Sequence, residues 1–295
     1  MRCRVVTLTG LLLAASLWAQ PTTPRPGQIA KEQTLPWEAL SGLSADGAHP
    51  GYLFTAPDKI AQPAQLLRLD TTTTPFRMTD SWTLRKLGRL DIEGVAWSQG
   101  GRIWLVGEGS KKHPNRLVSY NPSTEEVDEV TLPDEVHEKV AKHGLEGIAV
   151  LDGKVFVGFQ KGWKDDPEDS TRLGCYDPQT ETWQFALYPL GPELFLSGLT
   201  HAPNGRLAIL ERDKLAGERA VHKRIYTVDV SNFSSLLKKD LLVDLIPVYK
   251  EEGITVPEKI EGVAFDGSFL WIVNDDDGGK TQTTLLKVNS TYFAK

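Results

Sequence analysis

The sequence predicts an all-β protein, a β-propeller of about five four-stranded blades. Three observations predict it: a motif that recurs at near-equal intervals, a second apolar run behind each copy, and third and fourth strand patterns behind that. The motif is an apolar residue, Glu or Ser, Gly, a short apolar strand and a turn rich in Gly, Asp or Asn. It reads LSGLSADG from Leu40, IEGVAWSQGG from Ile92, LEGIAVLDG from Leu145, LSGLTHAPNG from Leu196 and IEGVAFDG from Ile260. Its glycines, Gly42, Gly94, Gly147, Gly198 and Gly262, are separated by 52, 53, 51 and 64 residues. A β-sandwich, the other common all-β architecture, has no reason to show such a repeat at matching phase.

The second runs are GYLFTA, RIWLVGE, KVFVGFQ, RLAILER and FLWIVND. Runs this short, rich in β-branched and aromatic residues and bounded by turn signals, read as strands buried on both faces. A third strand follows as QLLRLD, RLVSYNP, RLGCYDP, RIYTVDV and TLLKVNS, and a more polar fourth as MTDSWTL, VDEVTLP, WQFALYP and KKDLLVDL. Turns such as NPSTEE and DPQTET supply the Pro, Asp and Asn that tight reversals need. The fifth unit has only three strands before Lys295, so Gln28–Leu35 is expected to complete the last blade and close the ring, removing its open edge. Insertions fall at Lys161–Thr171 and Phe233–Lys259; the second is partly helical by pattern and accounts for the long fourth interval.

Before the repeat, Arg2 and Arg4 precede a mostly apolar stretch from Val5 to Leu17, with Ala19 ahead of a cut at Gln20. This reads as a signal peptide over 1–19, a Pro-rich lead-in over 20–27, and a single propeller domain over 28–295. The implied location is secreted or periplasmic, with no membrane span after cleavage, since the apolar stretch is short and Pro21, Pro24 and Pro26 follow closely. The formal charge of −6 becomes −8 once Arg2 and Arg4 are removed, leaving 31 Lys+Arg against 39 Asp+Glu. An acidic surface excludes nucleic acid, which needs a basic footprint, and suits cations. Cys175, alone once Cys3 leaves with the signal, reads as a small buried hydrophobe.

In a propeller the loop into the innermost strand and the loop out of the second strand open on one face. That face therefore gathers Ser41, Glu93, Glu146, Ser197 and Glu261 from the first set. Asp58, Glu108, Gln160, Glu211 and the run Asn274, Asp275, Asp276 and Asp277 come from the second. Carboxylates converging on a narrow axis repel one another unless a hard divalent cation such as Ca²⁺ or shared protons neutralise them. The alternative reading of each Glu-Gly step is architectural: glycine for close approach, Glu or Ser for hydrogen bonds to loop N–H groups. The expected metal ligands are Glu93, Glu146, Glu261, Asn274 and Asp275. Arg212 and Lys161 are candidates for binding an anionic substrate group, and His201, three residues past the fourth glycine, for lining the axis. No G-x-S-x-G, H-E-x-x-H, paired C-x-x-C or P-loop motif occurs.

The order DIEGVAW…RIWLVGE, HGLEGIAV, LSGLTHAPNGRLAILERD and KIEGVAFDGSFLWIVNDDDG resembles the phytase-like domain family, also called "esterase-like activity of phytase". The resemblance spans Leu40 to Lys287. It implies an exported propeller and hydrolysis of phosphoric or carboxylic esters, with Glu93, Glu146, Glu211, Arg212, Asp213, Glu261, Asn274 and Asp275 at matching positions. Two functions follow as expectations. One is a metal-dependent phosphoesterase acting on a small phosphorylated molecule at the axial mouth, with Glu211 or Asp213 as general base. The other is a non-catalytic propeller that binds a glycan, peptide or envelope partner.

Overall fold

Five antiparallel sheets radiate from one axis in a computed structural model that describes residues 39–57, 63–109, 113–140, 143–233, 235–275 and 283–293. Four sheets have four strands and the fifth has three among the described residues, each in sequence order from the axis outward. The innermost strands are Leu40–Ala45, Ile92–Trp97, Leu145–Leu151, Phe195–His201 and Ile260–Asp266. Each packs against the next, and the last returns to the first, so the ring is closed at its centre. The segments 1–19, 20–27 and Gln28–Leu35, hence the expected closing strand, lie outside the described residues. No helix among the described residues is long and apolar enough to cross a membrane.

The repeat motif is the packing device of that ring. A side-chain carbon on Gly42 would stand 2.9 Å from Gly94 Cα, one on Gly94 2.9 Å from the Glu146 carbonyl oxygen, and one on Gly147 2.7 Å from Leu199 Cβ. The series continues with Gly198 against Val263 at 3.1 Å and Gly262 against the Gly42 carbonyl carbon at 3.0 Å. Each glycine thus lets its inner strand touch the backbone or side chain of the following blade, and the last touches the first.

The same step breaks the pairing register. Pairing jumps from Ile92↔Gly107 to Gly94↔Val106, from Gly147↔Gly158 to Leu145↔Phe159, from Leu196↔Glu211 to Gly198↔Leu210, and from Ile260↔Asn274 to Gly262↔Val273. Glu93, Glu146, Ser197 and Glu261 are therefore the extra residues of β-bulges, which bend a strand and re-aim a side chain. In the first blade the unpaired residue is Gly42 itself, at φ +66°, and Ser41 stays in register with Ala56.

Between neighbouring blades lie five apolar clusters, one per interface, built from inner and middle strands whose residues are buried on both faces. The Phe233–Lys259 insertion serves two purposes. Ser235–Leu237 adds an edge to blade 3, with Leu187 N donating to Ser235 O and Leu237 N to Leu187 O, both at 2.9 Å. The helix Leu245–Glu251, capped by Asp244 on Ile246 N, then buries Leu245, Val248 and Tyr249 against blades 4 and 5. A second short helix, Asp134–Lys139, lies between blades 2 and 3 and buries Val136.

Because Gly147 has no positive φ and its obstruction is a neighbouring blade, Gly147→Ala tests the close approach alone. Urea unfolding should show a loss of about 1–3 kcal/mol, the usual cost of overpacking. A loss under about 0.5 kcal/mol, the scale of an ordinary surface change, would mean that the inner strands separate freely.

Candidate functional site at the axial mouth

The bulges and the ends of the second strands bring their side chains to one face of the ring, where three arrangements differ in charge. The first is acidic. Asp91 and Glu93, two apart on the strand that opens blade 2, meet Glu108 at the end of its second strand, with one carboxylate oxygen from each within 4.8 Å of the others. Asn115 Oδ1 fixes the surroundings by accepting from Gly109 N at 2.8 Å and Leu145 N at 3.1 Å, while Glu108 Oε1 accepts from Gly144 N at 3.0 Å. Three hard oxygen donors on two adjoining strand ends form a donor set suited to Ca²⁺ or Mg²⁺. Glu93 is the only expected metal ligand in this set. Asp91 went unassigned, although its i, i+2 spacing to Glu93 places both on one face of an extended chain.

The second arrangement is central and buried. Glu146, 2% exposed, accepts from Gln160 Nε2 through Oε1, and its Oε2 has no hydrogen-bond partner. Burial, then the charges of Glu261 and Glu108, push its carboxyl well above the usual range, against the pull of Arg212 and the Gln160 hydrogen bond. Glu261 meets Arg212 Nη2 at 2.8 Å with both side chains buried, and Arg212 Nε is left without a partner. A carboxyl group and a guanidinium, each with a buried atom that lacks a hydrogen-bond partner, thus share the electrostatics of the axis.

The third is cationic. The Phe195 ring, buried at the start of the blade 4 inner strand, has Lys161 Nζ 4.0 Å from its centroid, Lys214 Nζ at 4.5 Å and Arg212 Cζ at 5.5 Å. His143 meets the same ring edge-on at 5.7 Å. Burial holds the Lys161 ammonium below its ordinary value, against the attraction of Glu193 and with the repulsion of Lys214. Lys161 Nζ also donates to Pro192 O at 2.5 Å. His143 and Gly144 are adjacent, so one short loop connects the cationic rim to Glu108 of the acidic set.

The remaining expected site residues are engaged elsewhere. Glu211, fully buried, turns toward blade 3: Tyr188 Oη donates to its Oε1 at 2.5 Å, Lys239 Nζ pairs with the same oxygen, and His222 Nε2 lies 3.0 Å from Oε2. Burial would raise this carboxyl, but His222, Lys239 and Tyr188 outweigh it and hold the group low. Asp213 organises a loop, accepting from Leu215 N, Val221 N and His222 N while pairing with buried Lys223 at 2.9 Å. Asn274 Oδ1 accepts from Thr284 N and Oγ1 at 2.7 and 2.6 Å, and Asp275 pairs with Lys259 at 2.7 Å. His201 ends the inner strand whose start forms the mouth, so about 13 Å of extended chain separates it from Ser197. Ser197 Oγ bonds Ile260 O at 2.7 Å, a strap between blades 4 and 5. Asp58, Asp276 and Asp277 lie outside the described residues.

A family model described as "Phytase-like: Esterase-like activity of phytase" matches residues 35–278. No curated protein matches the chain. Among solved structures, the fold is similar to a GH130-family protein described with glycoside hydrolases that target β-1,2 mannosidic linkages in Candida mannan. That match has TM-score 0.51 and 11% identity and covers 87% of this chain and 86% of that one. A glycosyl hydrolase from Bacteroides ovatus matches with TM-score 0.50 and 11% identity over 88% of this chain and 86% of the other. The extracellular domain of a hybrid two component system from B. thetaiotaomicron matches at TM-score 0.43 and 13% identity over 84% of this chain, which spans only 27% of that longer one. At these identities the likeness is one of fold.

The raised carboxyl of Glu146 makes a signed expectation for Glu146→Gln in metal-free protein. Below about pH 4.3, the free glutamate value, the acid is neutral in both folded and unfolded states and imposes no penalty. As pH rises above that, the unfolded state releases the proton while the folded state keeps it, so wild-type stability falls until the folded value is passed. Thermal melts in EDTA should show the variant gaining on wild type from pH 4 to pH 8, with no gain at the acid end. A gap independent of pH would contradict the raised value.

Proposed function

Because the chain belongs to the phytase-like family, we propose that its axial mouth hydrolyses a phosphoric ester with a divalent cation, Ca²⁺ in the first instance, held by Asp91, Glu93 and Glu108. The single observation that carries this reading is the juxtaposition on one face of a three-carboxylate cluster and a cationic rim. A cation alone would explain the carboxylates, and an anionic ligand alone would explain the lysines; an anionic ester held beside a cation uses both.

When bound, the cation supplies Lewis-acid polarisation of the ester and a lowered pKa for water. The residues of the chain supply the rest. Lys161, Lys214 and Arg212 draw the substrate's charge toward the face. Glu146, whose carboxyl burial and its carboxylate neighbours raise well above the ordinary value, is the group this reading assigns to give a proton to a leaving oxygen. Glu211 and Asp213, expected from the sequence as bases, are saturated with internal partners, and their role in this reading is to position the second strand and the 213–222 loop. Asn274 and Asp275 likewise hold the start and end of blade 5 together. Export of the protein, which the sequence suggests through residues 1–19, would place this chemistry in the periplasm or outside the cell.

Purified protein stripped with EDTA and reloaded with Ca²⁺ should turn over phytate or p-nitrophenyl phosphate, and chelator should abolish the activity. Glu93→Gln combined with Glu108→Gln should lower kcat/KM by about 100-fold or more while the fold persists. Cation binding without turnover of either phosphate ester or of p-nitrophenyl acetate would replace this reading with that of a binding propeller for a glycan, peptide or envelope partner.

A further inference from the structure

We infer that a cavity on the outer side of the blade 2 carboxylates is a seat for a tetrahedral, doubly charged oxyanion, the phosphoryl end of a small organic phosphate, with Arg89 as its principal anchor. The inference rests on the reading of the mouth as an ester-hydrolysing site and names which part of it holds the substrate's anionic end. The cavity has a volume of about 290 Å³ and is lined by Arg89, Leu90, Asp91, Glu108, His113 and Arg116, with Pro114 and Glu129 at its margin. Two of the three clustered carboxylates therefore form one wall.

The opposite wall is basic, and its members differ in how far they are committed. Arg116 is spent on structure: Nε and Nη2 make paired bonds to Glu129 at 2.7 and 2.8 Å, and Nη1 donates to Leu87 O at 2.9 Å. That third bond fixes the turn Arg85–Leu87 from which Arg89 emerges. The next residue, Leu90, is buried in the interface of blades 1 and 2, so the backbone on either side of Arg89 is anchored. The Arg89 guanidinium itself is exposed and makes no ion pair or hydrogen bond among the described residues. His113 lines the same cavity from the loop before the third strand, Arg116–Asn121.

A planar five-donor guanidinium on a fixed backbone, lining one small cavity together with two carboxylates, is suited to a phosphate oxygen edge. Glu129 does not compete for Arg89, because Arg116 holds both of its oxygens. The carboxylate wall repels an anion unless a cation occupies the cluster, so the cation strengthens this seat. The volume lies at the lower limit of small-molecule pockets, enough for one oxyanion group and a few carbon atoms. The cationic rim at Phe195, in this arrangement, attracts the ligand without seating it.

The test is inorganic phosphate titrated into the full chain by calorimetry, with and without submillimolar Ca²⁺, alongside sulfate and acetate. Wild type should bind phosphate in both conditions, at least about tenfold tighter with Ca²⁺, and acetate at least about tenfold more weakly than phosphate. Arg89→Gln, an exposed substitution, should weaken phosphate about tenfold or more and leave Ca²⁺ affinity unchanged, whereas Lys154→Gln, an exposed lysine at the opposite end of blade 3, should alter phosphate affinity less than twofold. Loss of binding in Lys154→Gln with retention in Arg89→Gln would overturn the inference and leave the proposed hydrolase reading standing, as would equal affinity for acetate. Arg89-dependent phosphate binding in a protein that takes up no Ca²⁺ would uphold the seat and remove the metal-dependent reading. An absence of phosphate binding under both conditions would overturn the seat.

Discussion

Five inner strands approach one another around the axis more closely than side chains at Gly42, Gly94, Gly147, Gly198 and Gly262 would permit, and the other features of the mouth follow from that contact. A strand pulled this near its neighbour cannot keep regular pairing with its own second strand. In four blades the residue before the glycine drops out of register, and that residue is Glu or Ser. The bulge that makes the centre compact is therefore the device that sends Glu93, Glu146 and Glu261 toward one face. Architecture and site chemistry, which the sequence offered as alternatives for the Glu-Gly step, are the same structural event.

Concentrating acids at a narrow axis has an electrostatic cost, and the blades meet it in different ways. Blade 5 places Glu261 against Arg212 of blade 4. In blade 3, burial and the charges of Glu261 and Glu108 raise the Glu146 carboxyl well above its ordinary value. Blades 1 and 4 substitute Ser41 and Ser197, the latter tied to Ile260 O. In blade 2, Asp91, Glu93 and Glu108 come together, the group of three carboxylates at which we propose a cation. Asymmetry in a pseudo-symmetric ring separates an acidic side at blade 2 from a basic side at Phe195.

The fold was legible because its signal is repeated: the spacing of the glycines and the order of the strands needed no knowledge of what lay across the ring. The middle strands QLLRLD and RLAILER occur as Gln65–Asp70 and Leu207–Arg212, with their boundaries close to those read from composition. The site was legible only as a set of loops. Adjacent residues on a strand point to opposite faces, so Glu211 and Arg212 could not both serve the mouth. Which of the two did so depended on the register shift at Ser197. Glu211 went to Tyr188, His222 and Lys239, partners up to 28 residues away that no local pattern connects. Lys214 and Phe195 were overlooked for a related reason, since their contact joins the loop entering the first strand of blade 4 to the loop leaving its second, 19 residues apart. The i, i+2 pair Asp91 and Glu93 was the one missed element that strand periodicity alone could have supplied.

The central claim is the proposed cation site at Asp91, Glu93 and Glu108 of blade 2. Its most direct test is the anomalous scattering of Mn²⁺ soaked into crystals of the metal-stripped protein, Mn²⁺ serving as a hard-cation probe with oxygen ligands. The account expects the principal peak among the carboxylates of Asp91, Glu93 and Glu108, and its loss in Asp91→Asn. A principal peak instead at Glu261, or beside Asn274 and Asp275, would contradict it.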